Sequence, residues 1–232
     1  MTVQPTVFYI IGVTAIIILL LFVINRQLMK YDPLSKPTGI VTACLMAYDF
    51  VYKMVRKETN DEITEQLAPY FAAQMLYIFF ASISGLIGFQ APTSNWSVTL
   101  TLAAITCIMI EYYSFKYNGS KKYFKNLMEP FAPFIVLNII SKISTLASLS
   151  FRLFGNILSG SVIMSLIYSM LSALSGVIPV VGKFNFFGVI IAPVLHAYFD
   201  LFSSGMQTYL FTILSVIFIG KELPTEAKKK ED

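Results

Sequence analysis

Between Pro133 and Ile178 the chain is apolar almost without interruption, yet Arg152 stands inside that run. A guanidinium cannot shed its proton to suit an apolar setting. At the centre of a membrane helix it costs about 2.5–3.5 kcal/mol on insertion scales. A residue that expensive faces a partner or a water-filled path. Polar residues around it recur in steps of three and four: Asn138, Ser141 or Lys142, Thr145, Ser148, Arg152, Asn156, Ser159. Such steps trace one face of a helix, which predicts a narrow polar stripe on an otherwise apolar rod.

The rest of the chain agrees with a membrane setting. It has 232 residues, 56% of them hydrophobic and 13% charged, and its mean hydropathy is +0.70. That composition predicts an all-α, polytopic membrane protein forming one membrane domain over residues 1–232. The net charge of +4 comes from short basic blocks between apolar runs. This is the positive-inside pattern and not the single basic face of a nucleic-acid binder. Cys44 and Cys107 lie in apolar or interfacial stretches and suit reduced packing residues. With one histidine and no CxxC, a zinc site is not expected, and no phosphate loop of the G-x-x-x-x-G-K type is present. No cofactor is expected.

Five crossings are predicted. Val7–Ile24 is the first, with no basic region before it and no small-residue cleavage site after it. Arg26, Lys30 and Lys36 follow, which puts the N-terminus outside and residues 25–66 inside. Gly39–Lys57 reads as an amphipathic surface helix, with Asp49, Lys53, Arg56 and Lys57 opposite Leu45, Tyr48, Val51, Tyr52 and Val55. It lies on the membrane or packs on other protein. Thr59–Glu65 reads as a polar linker, Leu67–Phe89 as the second span, and residues 90–95 as an outside turn before Trp96. Ser97–Phe115 is the third span, and Lys116, Lys121, Lys122 and Lys125 mark an inside loop. Glu111 reads as interfacial. The fourth and fifth apolar segments, Pro133–Ile178 and Asn185–Ile219, would be about 69 and 52 Å long as helices, against a bilayer core of about 30 Å. They must tilt, bend or break. Pro179, Gly182 and Lys183 mark an outside turn between them, and the charged tail from Lys221 lies inside.

The last segment carries a stripe of its own: His196, Asp200, Ser203 or Ser204, and Gln207. An intramembrane carboxylate must be protonated, paired or wet. Two polar faces, one cationic and one with an acid, an imidazole and an amide, pack together or around water. Arg152 and Asp200 could form a structural ion pair, and Gln207 and Asn156 could be interhelical glue. From physics alone this is a protein that handles a proton or ion within the membrane.

The stretch Ser148-Leu149-Ser150-Phe151-Arg152-Leu153-Phe154-Gly155-Asn156 resembles the signature of subunit a of the F-type ATP synthase. Pro92–Leu100, Phe134–Ile140 and Ser204–Leu214 resemble further family segments in the same order, so the likeness covers about residues 65–220. The resemblance implies a non-catalytic, bacterial-type plasma-membrane subunit with its C-terminus cytoplasmic. Its last two long helices would be tilted and antiparallel. It would be a stator against a rotating c-subunit ring, bound also to the b subunits of the peripheral stalk, other ATP synthase subunits and the lipid bilayer. Two proton half-channels would meet at Arg152, which drives deprotonation of the ring carboxylate. Gln207 would face the arginine, Asn156, one turn on from it, would line the outer half-channel, Ser148 would belong to the proton path, and Asp200 with His196 would titrate in the outer half-channel. Ser161 stands where many relatives carry glutamate, and Ser141 and Lys142 where many carry acids. Lys142 is expected to meet the ring loops or a lipid phosphate. The competing expectation is a stand-alone ion-coupled transporter switched by Arg152 and Asp200.

Overall fold

A computed structural model describes residues 5–29, 39–87, 91–129, 131, 133–176 and 186–223. The described residues form helices and short 3-10 turns. They include α1 (Pro5–Met29), α2 (Gly39–Arg56), α3 (Asp61–Ile83), α4 (Trp96–Met128), α5 (Phe134–Gly176), α6 (Phe186–His196) and α7 (Ser204–Glu222). A π-helical segment, Ala197–Ser203, joins α6 to α7. Five segments are long and apolar enough to cross a membrane: Val7–Met29, Asp61–Leu86, Trp96–Met128, Phe134–Gly176 and Phe187–Glu222. The all-α, five-crossing expectation therefore stands. The turn residues Pro179, Gly182 and Lys183 and the tail beyond Leu223 lie outside the described residues.

Two boundaries differ from the sequence expectation, each for a local reason. α3 begins at Asp61, inside the expected linker. The Asn60 side chain accepts from the Ile63 amide at 2.9 Å, and Asp61 and Glu62 occupy the first turn. A cap plus acids at the helix dipole's positive end starts a helix in a polar stretch. α4 runs on past Phe115 and bends at Gly119, whose φ of +71° favours glycine. The expected lysine loop is thus largely helical.

The core is built from helix faces. Val51 and Val55 of α2, Ile63, Leu67 and Phe71 of α3, Ile110 and Tyr113 of α4, and Val216 and Ile219 of α7 form one buried cluster. Only the C-terminal half of α2 joins it. Leu45 and Tyr48, on the expected apolar face, are exposed, as a face turned to the membrane surface would be. A second cluster joins Ile78, Ala103, Leu149, Leu153 and Phe211. Where α7 meets the α2–α3 turn, a Cβ on Gly220 would lie 2.8 Å from the Glu58 carbonyl oxygen. No side chain fits there.

α5 runs antiparallel to both neighbours. Toward α4, Thr99 meets Ser150 at 3.4 Å and Lys142 meets Glu111 at 2.6 Å. Toward the last helix, Ser203 bonds Asn156 at 2.8 Å and Tyr168 bonds His196 at 3.0 Å. The antiparallel expectation for the last two long segments holds. At about 1.5 Å per residue, α5 is more than twice as long as a bilayer core is thick.

Candidate proton-handling site

Arg152 is placed by its neighbours. Leu149 and Leu153 point into the second core cluster, and Phe151 stacks on Trp96 with ring centroids 5.8 Å apart and planes 6° from parallel. With those directions taken, the guanidinium points out of the bundle and is exposed. It makes no ion pair among the described residues, so the Arg152–Asp200 pair is not formed. Ser141, Ser144, Ser148 and Ser159 are exposed as well. Ser141, Ser148 and Ser159 line up with Arg152 because steps of four, seven and eleven residues return to about the same side of a helix.

The rest of the expected stripe turns elsewhere. Asn138 donates to the Leu127 carbonyl at 2.8 Å. Lys142 turns toward α4: it bonds Glu111 at 2.6 Å and Tyr123 at 3.2 Å, and Tyr123 also donates to Glu111 at 2.6 Å. Glu111, expected to be a plain interfacial acid, is therefore held in a three-residue cluster. Beside it lies a small cavity of about 190 Å³ lined by Ser114, Tyr123, Asn138, Lys142 and Glu222.

A much larger cavity, about 1090 Å³, opens between α5 and the last helix at the other end of the bundle. Asn156, Ser161, His196, Asp200 and Ser204 line it, along with Ser82 of α3. His196 Nδ1 lies 2.5 Å from Asp200 Oδ2, and His196 Nε2 lies 3.0 Å from the Tyr168 hydroxyl. Asn156 Oδ1 accepts from the Ser203 hydroxyl at 2.8 Å. A Cβ on Gly160 would sit 3.5 Å from the Phe199 ring, so the two helices approach closely beside the cavity. Asp200 sits in the π-helical segment, and such wide turns recur at functional sites.

The structure thus gathers His196, Asp200, Asn156 and Ser161 around one space and sets Arg152 and Ser148 on a separate, outward face. Gln207 belongs to neither. It is buried at 7% exposure, its Nε2 has no partner, and no hydrogen bond joins it to Arg152. Sequence reasoning missed Tyr168 and the serines Ser165, Ser169 and Ser172 that continue the cavity wall from Ser161. Their spacing of four, four and three was a readable helical signal. It went unseen because it lies about 180° around α5 from Arg152, nine residues on at about 100° each.

Residues 7–220 match the family described as ATP synthase A chain. The subunit named ATP synthase subunit a of Staphylococcus carnosus (strain TM300) is 27% identical over 223 residues, covering 91% of this chain and 87% of that one. The protein of the same name from Staphylococcus aureus (strain JH9) is 25% identical over 227 residues, covering 92% and 88%. With a match running through nearly every described helix, from the first crossing to the end of the last, this chain belongs to the ATP synthase A chain family.

Proposed function

We infer that this chain is the non-catalytic, proton-conducting stator subunit of an ATP synthase membrane sector. The observation that carries the reading is the separation of charges. An unpaired, exposed arginine stands among small serines on one face of α5, and a wide polar cavity with an acid–imidazole pair opens on the other. A fixed cation on an outward face has little reason to exist in a membrane unless a partner's carboxylate comes to it. The exposed face of α5 would meet a rotating ring of c subunits. Arg152 would favour the ionised form of each passing ring carboxylate, releasing its proton. It would also repel a proton crossing straight through. The large cavity would be the outer half-channel, with Asp200 and His196 as its titrating groups and Asn156 and Ser161 along the route, while Ser148 would stand beside Arg152 where the proton meets the ring. Gln207, buried behind, would turn to the arginine only when a ring carboxylate arrives. The b subunits and other ATP synthase subunits would complete the stator.

Orientation follows from charge. Lys57 of the α2–α3 turn, Lys116, Lys121 and Lys122 of α4, and Lys221 of α7 share the end marked by the Glu58–Gly220 approach and the Asn118–Glu222 hydrogen bond. Positive charge collects on the cytoplasmic side, so the large cavity faces out and the C-terminus in. The exposed apolar residues of α2, Ile40, Leu45 and Met46, would lie in the inner membrane surface. The stand-alone transporter reading needs an Arg152–Asp200 switch, and no such pair is present among the described residues.

Replacing Arg152 with Ala in the assembled complex tests the reading. Proton-coupled ATP synthesis should fall at least a hundredfold while the complex still assembles. Retained coupled synthesis would overturn it.

A further inference from the structure

We propose that Tyr168 is the contact through which His196 takes its proton from the large cavity. This deepens the half-channel reading and rests on it. An ionised carboxylate only accepts hydrogen bonds, so with Asp200 Oδ2 at Nδ1 the neutral imidazole carries its proton on Nδ1. Nε2 is then a bare lone pair and accepts from the Tyr168 hydroxyl 3.0 Å away. Tyr168 itself lines the cavity, as do Ser165, Ser169 and Ser172 on the same helix. The phenol oxygen thus has its proton turned to His196 and its lone pairs available to cavity water. No other side chain bonds Nε2 among the described residues.

The loading step balances simply. A hydronium ion in the cavity gives a proton to the phenol oxygen as the original O–H bond breaks toward Nε2. Water and an intact tyrosine remain, and His196 becomes an imidazolium held against the Asp200 carboxylate. Nothing is oxidised or reduced, and one proton has moved from cavity water to the His196–Asp200 pair. Without the hydroxyl, Nε2 faces the cavity alone and its protonation waits for a water of the right orientation.

His196 is the chain's single histidine, so its ring can be watched directly. In the full chain labelled with 15N-histidine and reconstituted in lipid nanodiscs, at a pH high enough to keep the ring neutral, the spectrum should show a protonated Nδ1 and a bare Nε2. Tyr168→Phe keeps the aromatic ring and should shift the Nε2 resonance, which loses its hydrogen-bond donor, while Nδ1 stays protonated against Asp200. In inverted vesicles carrying the assembled complex, Tyr168→Phe should slow ATP-driven proton pumping about three- to tenfold and raise its solvent deuterium isotope effect. A wild-type ring protonated on Nε2, or wild-type pumping and isotope effect in Tyr168→Phe, overturns the proposal. Asp200→Asn separates the two levels. If it too pumps normally, the half-channel reading fails; if it stops pumping while Tyr168→Phe does not, only the role of Tyr168 fails.

Discussion

The two polar regions of this bundle handle charge in opposite ways. At one end, about 1090 Å³ of space surrounds Asp200, and its partner is a histidine that is charged only when it carries an extra proton. At the other, about 190 Å³ lies beside Lys142, which is the partner of Glu111. The first pair goes from one net negative charge to none when it takes up a proton, because the imidazole can accept it beside the carboxylate. The second is an ion pair of a lysine and a glutamate, each offsetting the other's charge. Size and partner chemistry together say that the large cavity suits proton traffic and the small one suits holding α4 to α5.

The widest test of that contrast is to disable the large cavity. Asp200→Asn should reduce ATP-driven quenching of a pH-sensitive dye in inverted vesicles to background. Ser161 lines the same space, so Ser161→Glu added to Asp200→Asn should restore part of the signal. Normal pumping by Asp200→Asn would make the cavity's acid structural and erase the difference between the two regions.

A smaller effect is expected at the other end, and on stability more than on transport. Glu111→Gln or Lys142→Met alone leaves one charge without its partner. Both side chains keep about a third of their exposure, 36% and 33%. The cost should therefore be about 1–2 kcal/mol, well short of a fully buried pair. The double replacement should recover most of that loss in a thermal-denaturation cycle, and pumping should change less than twofold. Loss of pumping on the scale of Asp200→Asn would bring Glu111 and Lys142 into the proton path.

Much of this is legible in the amino-acid sequence. The five crossings, the polar faces of both long helices and the acid–imidazole spacing of four follow from residue period and hydropathy, which need only local information. The grouping of Asn138, Lys142 and Asn156 with Arg152 does not hold. Steps of three or four drift around a helix, and over ten residues Lys142 falls about 80° from the arginine, onto the α4 side. The start of α3 is hidden because a strong cap in a charged stretch looks like a linker when only apolar runs are counted. Tyr168 escapes for another reason. One tyrosine among thirteen in a membrane protein has no local mark of function. Only the antiparallel register of α5 with the last helix brings its hydroxyl to His196.

The smallest effect concerns what lies between the two regions. α7 buries Thr208, Thr212 and Ser215, and each satisfies its hydroxyl on the carbonyl four residues back, at 2.8–2.9 Å. A short side chain can fold back in this way, whereas a glutamine's amide stands too far from its own helix. Gln74 on α3 is 5% exposed, and neither its amide nitrogen nor its oxygen has a partner. The antiparallel pairing of Phe79 with Gly205 and of Glu58 with Gly220 sets Gln74 near the level of Gln207, whose nitrogen is also unpartnered. Removing a buried, unsatisfied amide while keeping an apolar side chain of similar size gains stability, about 1 kcal/mol here. Gln74→Leu should therefore raise the unfolding midpoint of the complex by a few degrees, with pumping unchanged. A lowered midpoint would mean that the amide is satisfied by buried water. Slower pumping with the midpoint raised would mean that the polar seam between the two regions takes part in the proton's passage, and the line drawn between them would have to move inward to include it.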